Sequence, residues 1–147
     1  MQRRKSYRKP KRPTNRVIQA GNVVLAAGLQ GVGYLFTAKD PCTATKFRLD
    51  TGLTAGVSGP FPYALVYVPA GYNINNITYP SVPPANMYEP AMQVLLSGVL
   101  TDNATEDHKS TRYSRRMASG DRIALIYLNA SAQPHTVSFE LNFTTVH

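Results

Sequence analysis

The side chains best placed to do chemistry are gathered at the N-terminus. Eight of the first sixteen residues are basic: Arg3, Arg4, Lys5, Arg8, Lys9, Lys11, Arg12 and Arg16. None of the sixteen is acidic. The remaining 131 residues carry eight basic groups, Lys39, Lys46, Arg48, Lys109, Arg112, Arg115, Arg116 and Arg122, and all eight acids of the chain. The body is therefore formally neutral, and the net charge of +8 belongs to the arm. A block of like charge repels itself and acts as an interaction tail. Its chemistry is neutralisation of a polyanion: Lys and Arg displace the counterions condensed on a phosphate backbone. Tyr7 is a lone candidate for stacking in the arm, so base-specific readout is not expected there.

Other reactive side chains form no recognisable constellation. His108, His135 and His147 are scattered, and no turn of nucleophile-elbow type accompanies the Ser and Asp residues. The acidic stretch 101–107 beside His108 offers oxygen ligands but matches no cation-loop spacing, so a solvated turn is expected and no metal is assigned. Cys42 is the only cysteine; it can form no intramolecular disulfide, has no evident base nearby and reads as a packed apolar side chain. The glycines at 28, 31 and 33 lack the Lys-Ser/Thr ending of a phosphate loop. No catalysis and no cofactor are expected. The Asn-x-Ser/Thr triplets at Asn76, Asn103, Asn129 and Asn142 are read as chance, because the N-terminus lacks the apolar segment of a secretory signal. No stretch approaches a membrane span.

The elements that must position the basic groups read as strands. The arm, broken by Pro10 and Pro13, is expected to be disordered or extended along a partner. Apolar runs predict strands near 17–27, 33–38, 43–51, 63–68 and 91–100. Another covers 122–128, and Val137, Phe139, Leu141 and Phe143 alternate with polar residues in a last strand. Tyr63 to Val68 reads as buried on both faces. In 43–51, Phe47 and Leu49 are expected inward, with Lys46, Arg48 and Asp50 outward. The segment 71–90 is long for a loop and holds Tyr72, Ile74, Ile77, Tyr79, Met87 and Tyr88, side chains that contact with a neighbouring subunit would explain. About eight strands without a confident helix indicate an all-β fold. The expectation is an eight-stranded antiparallel jelly-roll β-sandwich over 17–147, preceded by a basic arm over 1–16.

The run from Ser114 to Asn129, Ser-Arg-Arg-Met-Ala-Ser-Gly-Asp-Arg-Ile-Ala-Leu-Ile-Tyr-Leu-Asn, resembles the capsid proteins of small circular Rep-encoding single-stranded DNA (CRESS DNA) viruses. In that family a basic strand runs into a Gly-Asp turn and an apolar strand, and a final alternating strand ends the chain, as 136–146 does here. Thr43 to Gly52 looks like the strand that opens the family's jelly roll, and the Arg-rich N-terminus is also a family feature. The resemblance implies a satellite-virus-like single jelly roll that self-assembles into an icosahedral virion. Such a shell often has about sixty copies in a T=1 arrangement.

The resemblance also implies packaging of single-stranded nucleic acid, circular DNA by family, with the arm inside. Sixty arms would meet on the order of 480 phosphates. Lys46, Arg48, Arg112, Arg115 and Arg116 are candidates for a further nucleic-acid-binding patch on the inner surface, against the bland reading of a solvated strand face. The arm also fits a nuclear localisation signal, implying import factors as partners and the host nucleus as the place of assembly. Two other readings remain: a cellular nucleic-acid-binding β-barrel, and a soluble β-sandwich binding module of lectin or cytokine type.

Overall fold

The computed structural model describes residues 11–28, 30–53, 60–73, 93–101, 106–129 and 131–147. The apolar run Phe61–Val68 is β4, and only Pro62 among its eight residues escapes burial. Its alternate side chains serve two apolar layers. Phe61, Tyr63, Leu65 and Tyr67 enter the main core, while Ala64, Val66 and Val68 join Ala124 and Ile126 in a second cluster on the other face, packed by Val32 and Tyr72. β7 (Arg122–Leu128) is built the same way and lies beside β4. The expectation that both faces of this run are buried is met.

The described residues form eight strands. Besides β4 and β7 they are β1 (Thr14–Leu25), β2 (Gln30–Thr37), β3 (Cys42–Leu53), β5 (Gln93–Leu100), β6 (Glu106–Met117) and β8 (His135–Val146). They make two four-stranded sheets, in the orders β1-β8-β3-β6 and β2-β7-β4-β5, and every described pairing is antiparallel. Except from β4 to β5, each strand passes to the opposite sheet from its predecessor. The fold is an eight-stranded jelly-roll sandwich. The main core fills the space between the sheets, where Phe47 stacks on Phe143 and Phe36 meets Phe143 edge-on.

Three local expectations are corrected. The Thr43–Gly52 strand does not open the jelly roll; it is the third strand and sits inside its sheet between β8 and β6. Glu106 and Asp107 are not loop residues but the first two of β6, where they pair with Gly52 and Thr51. β1 starts earlier than its apolar residues suggest: Thr14, Asn15 and Arg16 pair with Val146, Thr145 and Thr144. Backbone pairing with a long neighbour extends a strand beyond the reach of its side-chain pattern.

Two turns are pinned by buried side chains. Asp121 accepts hydrogen bonds from the Tyr67 hydroxyl (2.8 Å) and from the backbone N–H groups of Ala70 (2.9 Å) and Ala118 (2.7 Å). Gly120, just before it, has φ of +89°, a left-handed conformation that suits glycine. Asn129 is fully buried, and its amide donates to the carbonyls of Ala26 and Gln133. Cys42 is buried in the core; burial first, then the charges of Asp121 and Asp40, push its thiol above the ordinary range.

Candidate nucleic-acid interface

The solvent face of the β1-β8-β3-β6 sheet carries Arg16 and four of the eight basic side chains of the body. Pairing arranges its outward residues in rows across the four strands. The first row is Thr14, Val146, Thr43 and Arg116; the second is Arg16, Thr144, Thr45 and Ser114; the third is Ile18, Asn142, Arg48 and Ser110. The fourth is Ala20, Glu140, Asp50 and His108, and the fifth is Asn22, Ser138, Gly52 and Glu106. The intervening residues of β3 and β8, such as Leu49, Leu141 and Phe143, point into the core.

A bulge in β3 enriches the basic half. Lys46 has φ of +59°, and the pairing of β3 with both neighbours shifts there. Relative to β8, β3 gains one residue here, so Ala44 and Phe47 are both buried although three positions apart, and Lys46 itself is exposed; opposite β6 the extra residue lies on β6, at Arg112–Tyr113. The expected outward Lys46, Arg48 and Asp50 and inward Phe47 and Leu49 are met, but the alternation does not run back past Lys46, because Thr45 lies on the outward face as well. Lys46, Arg48, Ser110 and Arg112 line a groove of about 530 Å3 at this bulge.

The first three rows with the bulge thus present Arg16, Lys46, Arg48, Arg112 and Arg116 and no acid. The last two present Glu140, Asp50 and Glu106 and no Lys or Arg. Arg16 donates from Nε to Asn142 Oδ1 (3.1 Å), which holds its guanidinium over the sheet. Arg48 is partly neutralised, with Nε 3.1 Å from Asp50 Oδ2, and His108 Nδ1 lies 2.7 Å from the other Asp50 oxygen. Burial opposes ionisation of Asp50, but the hydrogen bonds with His108 and Arg48 and the Arg48 charge outweigh it, holding the carboxyl below its usual range. Lys46, Arg112 and Arg116 make no ion pair with another described residue.

The arm leaves this face at its basic end. Lys11 and Arg12 are exposed and are separated only by Pro13 from β1, whose first residue belongs to the first row. Seven basic side chains, Lys11, Arg12, Arg16, Lys46, Arg48, Arg112 and Arg116, are therefore continuous from the root of the arm across the sheet. Phosphates bound by the arm would next meet these groups. Arg16 gains a second role that its sequence position does not reveal: it is a strand residue of the folded body. The acidic counter-half was equally hidden, because Asp50, Glu106 and Glu140 come from three strands.

Arg115 stands apart from the other four candidates of the strand patch. It alternates with them on β6 and pairs with fully buried Ala44, so it faces the interior. Its guanidinium lies 3.9 Å from the centroid of the Tyr67 ring. It is a packing cation beside Asp121, whose carboxyl its charge helps to keep ionised. Of the arm, Arg3, Arg4, Lys5, Arg8 and Lys9 lie outside the described residues. So do Ile74, Ile77, Tyr79, Met87 and Tyr88 of the expected subunit contacts. Tyr72 is described and packs on the second apolar cluster of its own chain, with its carbonyl accepting from Arg122.

Among the described residues no group of three or more His, Cys, Asp or Glu is arranged to hold a metal ion. No helix of the described residues is long and apolar enough to cross a membrane. No protein-family model matches the chain, and no curated protein matches it.

Proposed function

We propose that this protein is a viral coat protein, a jelly roll whose copies associate into a small icosahedral shell around single-stranded nucleic acid. The observation that carries this reading is the continuity of the basic arm with the basic half of one sheet face. A net charge of +8 confined to the arm, on a neutral body, separates polyanion binding from the surfaces left for contact between copies. The arm and the sheet cations together offer a sequence-tolerant, salt-sensitive track for a phosphate backbone. The resemblance of Ser114 to Asn129 to the CRESS DNA virus capsid family favours circular single-stranded DNA as the cargo and the host nucleus as the site of assembly. The arm then also serves import factors before assembly encloses it. No catalytic role and no cofactor belong to this reading.

The two-sheet sandwich does not favour the cellular β-barrel alternative, and a lectin-like or cytokine-like module has no use for the arm. The test is assembly of the purified, nuclease-treated chain, followed by negative-stain microscopy and sedimentation, with and without single-stranded DNA. Closed particles of uniform size that protect the DNA from nuclease are expected. A monomer at every salt and protein concentration, with or without nucleic acid, would overturn the reading.

A further inference from the structure

The charge division on the β1-β8-β3-β6 face makes that face complementary to itself. Consider a two-fold axis lying in the plane of the face, across the strands, between the rows of Arg48 and Asp50. Rotation about it lays the same face of a second copy on the first with the strand direction reversed. The third row then meets the fourth and the second meets the fifth, while the first row lies beyond the overlap. The outward positions of β6 run 106, 108, 110, 112, so Glu106 of one copy meets Arg112 of the other, and His108 meets Ser110. On β3, Asp50 meets Arg48, whose terminal guanidinium nitrogens remain beyond the Nε that bonds Asp50 within the chain. On β8, Glu140 meets Asn142. On β1, Ile18, half exposed at 51%, meets exposed Ala20, so the one bulky apolar group near the axis is covered by an apolar partner.

We infer that this sheet face pairs with the same face of a second copy in an isologous dimer held by two symmetry-related Glu106–Arg112 contacts. Four strands about 4.8 Å apart and four overlapping rows give a patch of roughly 20 by 25 Å, near 500 Å2 a side, below the usual size for stable association. The dimer is therefore weak and loosened by salt, since its charge pairs lie at a solvated interface. Nucleic acid on Arg16, Lys46 and Arg112 and a second copy on the same groups exclude each other, so the pair is a form adopted without cargo. The inference goes beyond the shell reading and does not rest on it, because it concerns the chain without nucleic acid.

The test is sedimentation velocity of the full, nuclease-treated chain at low and high salt, with Glu106→Arg, Arg112→Glu, the double variant and an equimolar mixture of the two single variants. Both positions are exposed, and circular dichroism checks that the fold is kept. Each single variant sets like charges against each other and is expected to weaken the dimer by about tenfold or more. The double variant restores opposite charges, and so does the mixture, which is expected to form a heterodimer. A dimer of equal strength in all four samples, or one that neither the double variant nor the mixture recovers, overturns the proposal. So does a wild-type chain that shows no dimer at low salt. Loss of DNA binding in Arg112→Glu with no recovery of the dimer in the mixture would leave the nucleic-acid reading standing and remove this one.

Discussion

The Tyr67 hydroxyl donates to the Asp121 carboxylate over 2.8 Å, across 54 residues of sequence, while the Arg115 guanidinium covers the same tyrosine ring. Asp121 also caps Ala70 and Ala118, so one carboxylate joins the end of β4, the end of β6 and the start of β7. The Gly120-Asp121 turn is thus a structural clamp on this chain.

Replacing that carboxylate removes the acceptor of three hydrogen bonds at a buried position. Asp121→Ala is expected to cost about 3 kcal/mol or more, read as a lower urea midpoint. The pH dependence has a definite sign. Burial pushes the Asp121 carboxyl up, but hydrogen bonds from Ala118, Ala70 and Tyr67 and the Arg115 charge prevail and hold it below the usual range. A depressed folded value means that its stabilisation is complete above the unfolded value of about 3.9 and is lost as pH falls through the folded one. Thermal melts should therefore be flat for this group above about pH 5 and fall in more acid solution. Asp121→Asn should blunt that fall.

Gly98 is paired directly with Tyr63, and the phenol passes over it to donate to Asp107 Oδ2 at 2.7 Å. This bond ties β4 of one sheet to β6 of the other. A Cβ at position 98 would enter the space held by Tyr63 Oη and Asp107 Oδ2. Gly98→Ala should lose about 1–3 kcal/mol in a denaturant titration, because either the bond or the backbone must shift. Gly33→Ala, whose Cβ meets only Leu35 at an ordinary 3.8 Å, should be far milder.

The arginines of β6 divide by face, and so should their phenotypes. Arg112→Ala and Arg116→Ala, and Lys46→Ala on the neighbouring β3, remove exposed charge that the proposed function assigns to phosphate contacts. Each is expected to reduce the salt slope of single-stranded DNA binding by about one and to leave the melting temperature nearly unchanged. Arg115→Ala should do the reverse: little change in slope, and a loss of about 1–2 kcal/mol from the missing contact with Tyr67. Fluorescence anisotropy over a salt series, paired with thermal melts, separates the two classes.

Truncation of the arm should show where it joins the sandwich. Removal of residues 1–10 takes away five of its eight charges and is expected to abolish DNA protection while the melting temperature holds. Removal of residues 1–16 also strips three paired residues from β1, and with them the Arg16–Asn142 bond. That version should melt several degrees lower. Equal melting temperatures for the two would show that the start of β1 adds nothing to the fold.

Much of the architecture was legible in the residues alone. Alternation in Val137 to Phe143 and the unbroken apolar runs of β4 and β7 reflect a period of two and burial on two faces, which are local properties of a chain. Charge segregation is also local, since it needs only a count along the sequence. What only the tertiary structure decided is which charges share a surface. Thr45 and Lys46 both reach the solvent face because of a bulge, Arg115 turns inward because its strand alternates, and Arg16 joins the sheet because β8 is long enough to pair with it. The rows that set Arg48 beside Asn142 and Asp50 beside Glu140 depend on strand register, and register is fixed by partners that lie up to about 130 residues away. The sequence determined that a neutral β-sandwich carries a cationic arm; packing decided that one sheet face continues the arm's charge at one end and opposes it at the other.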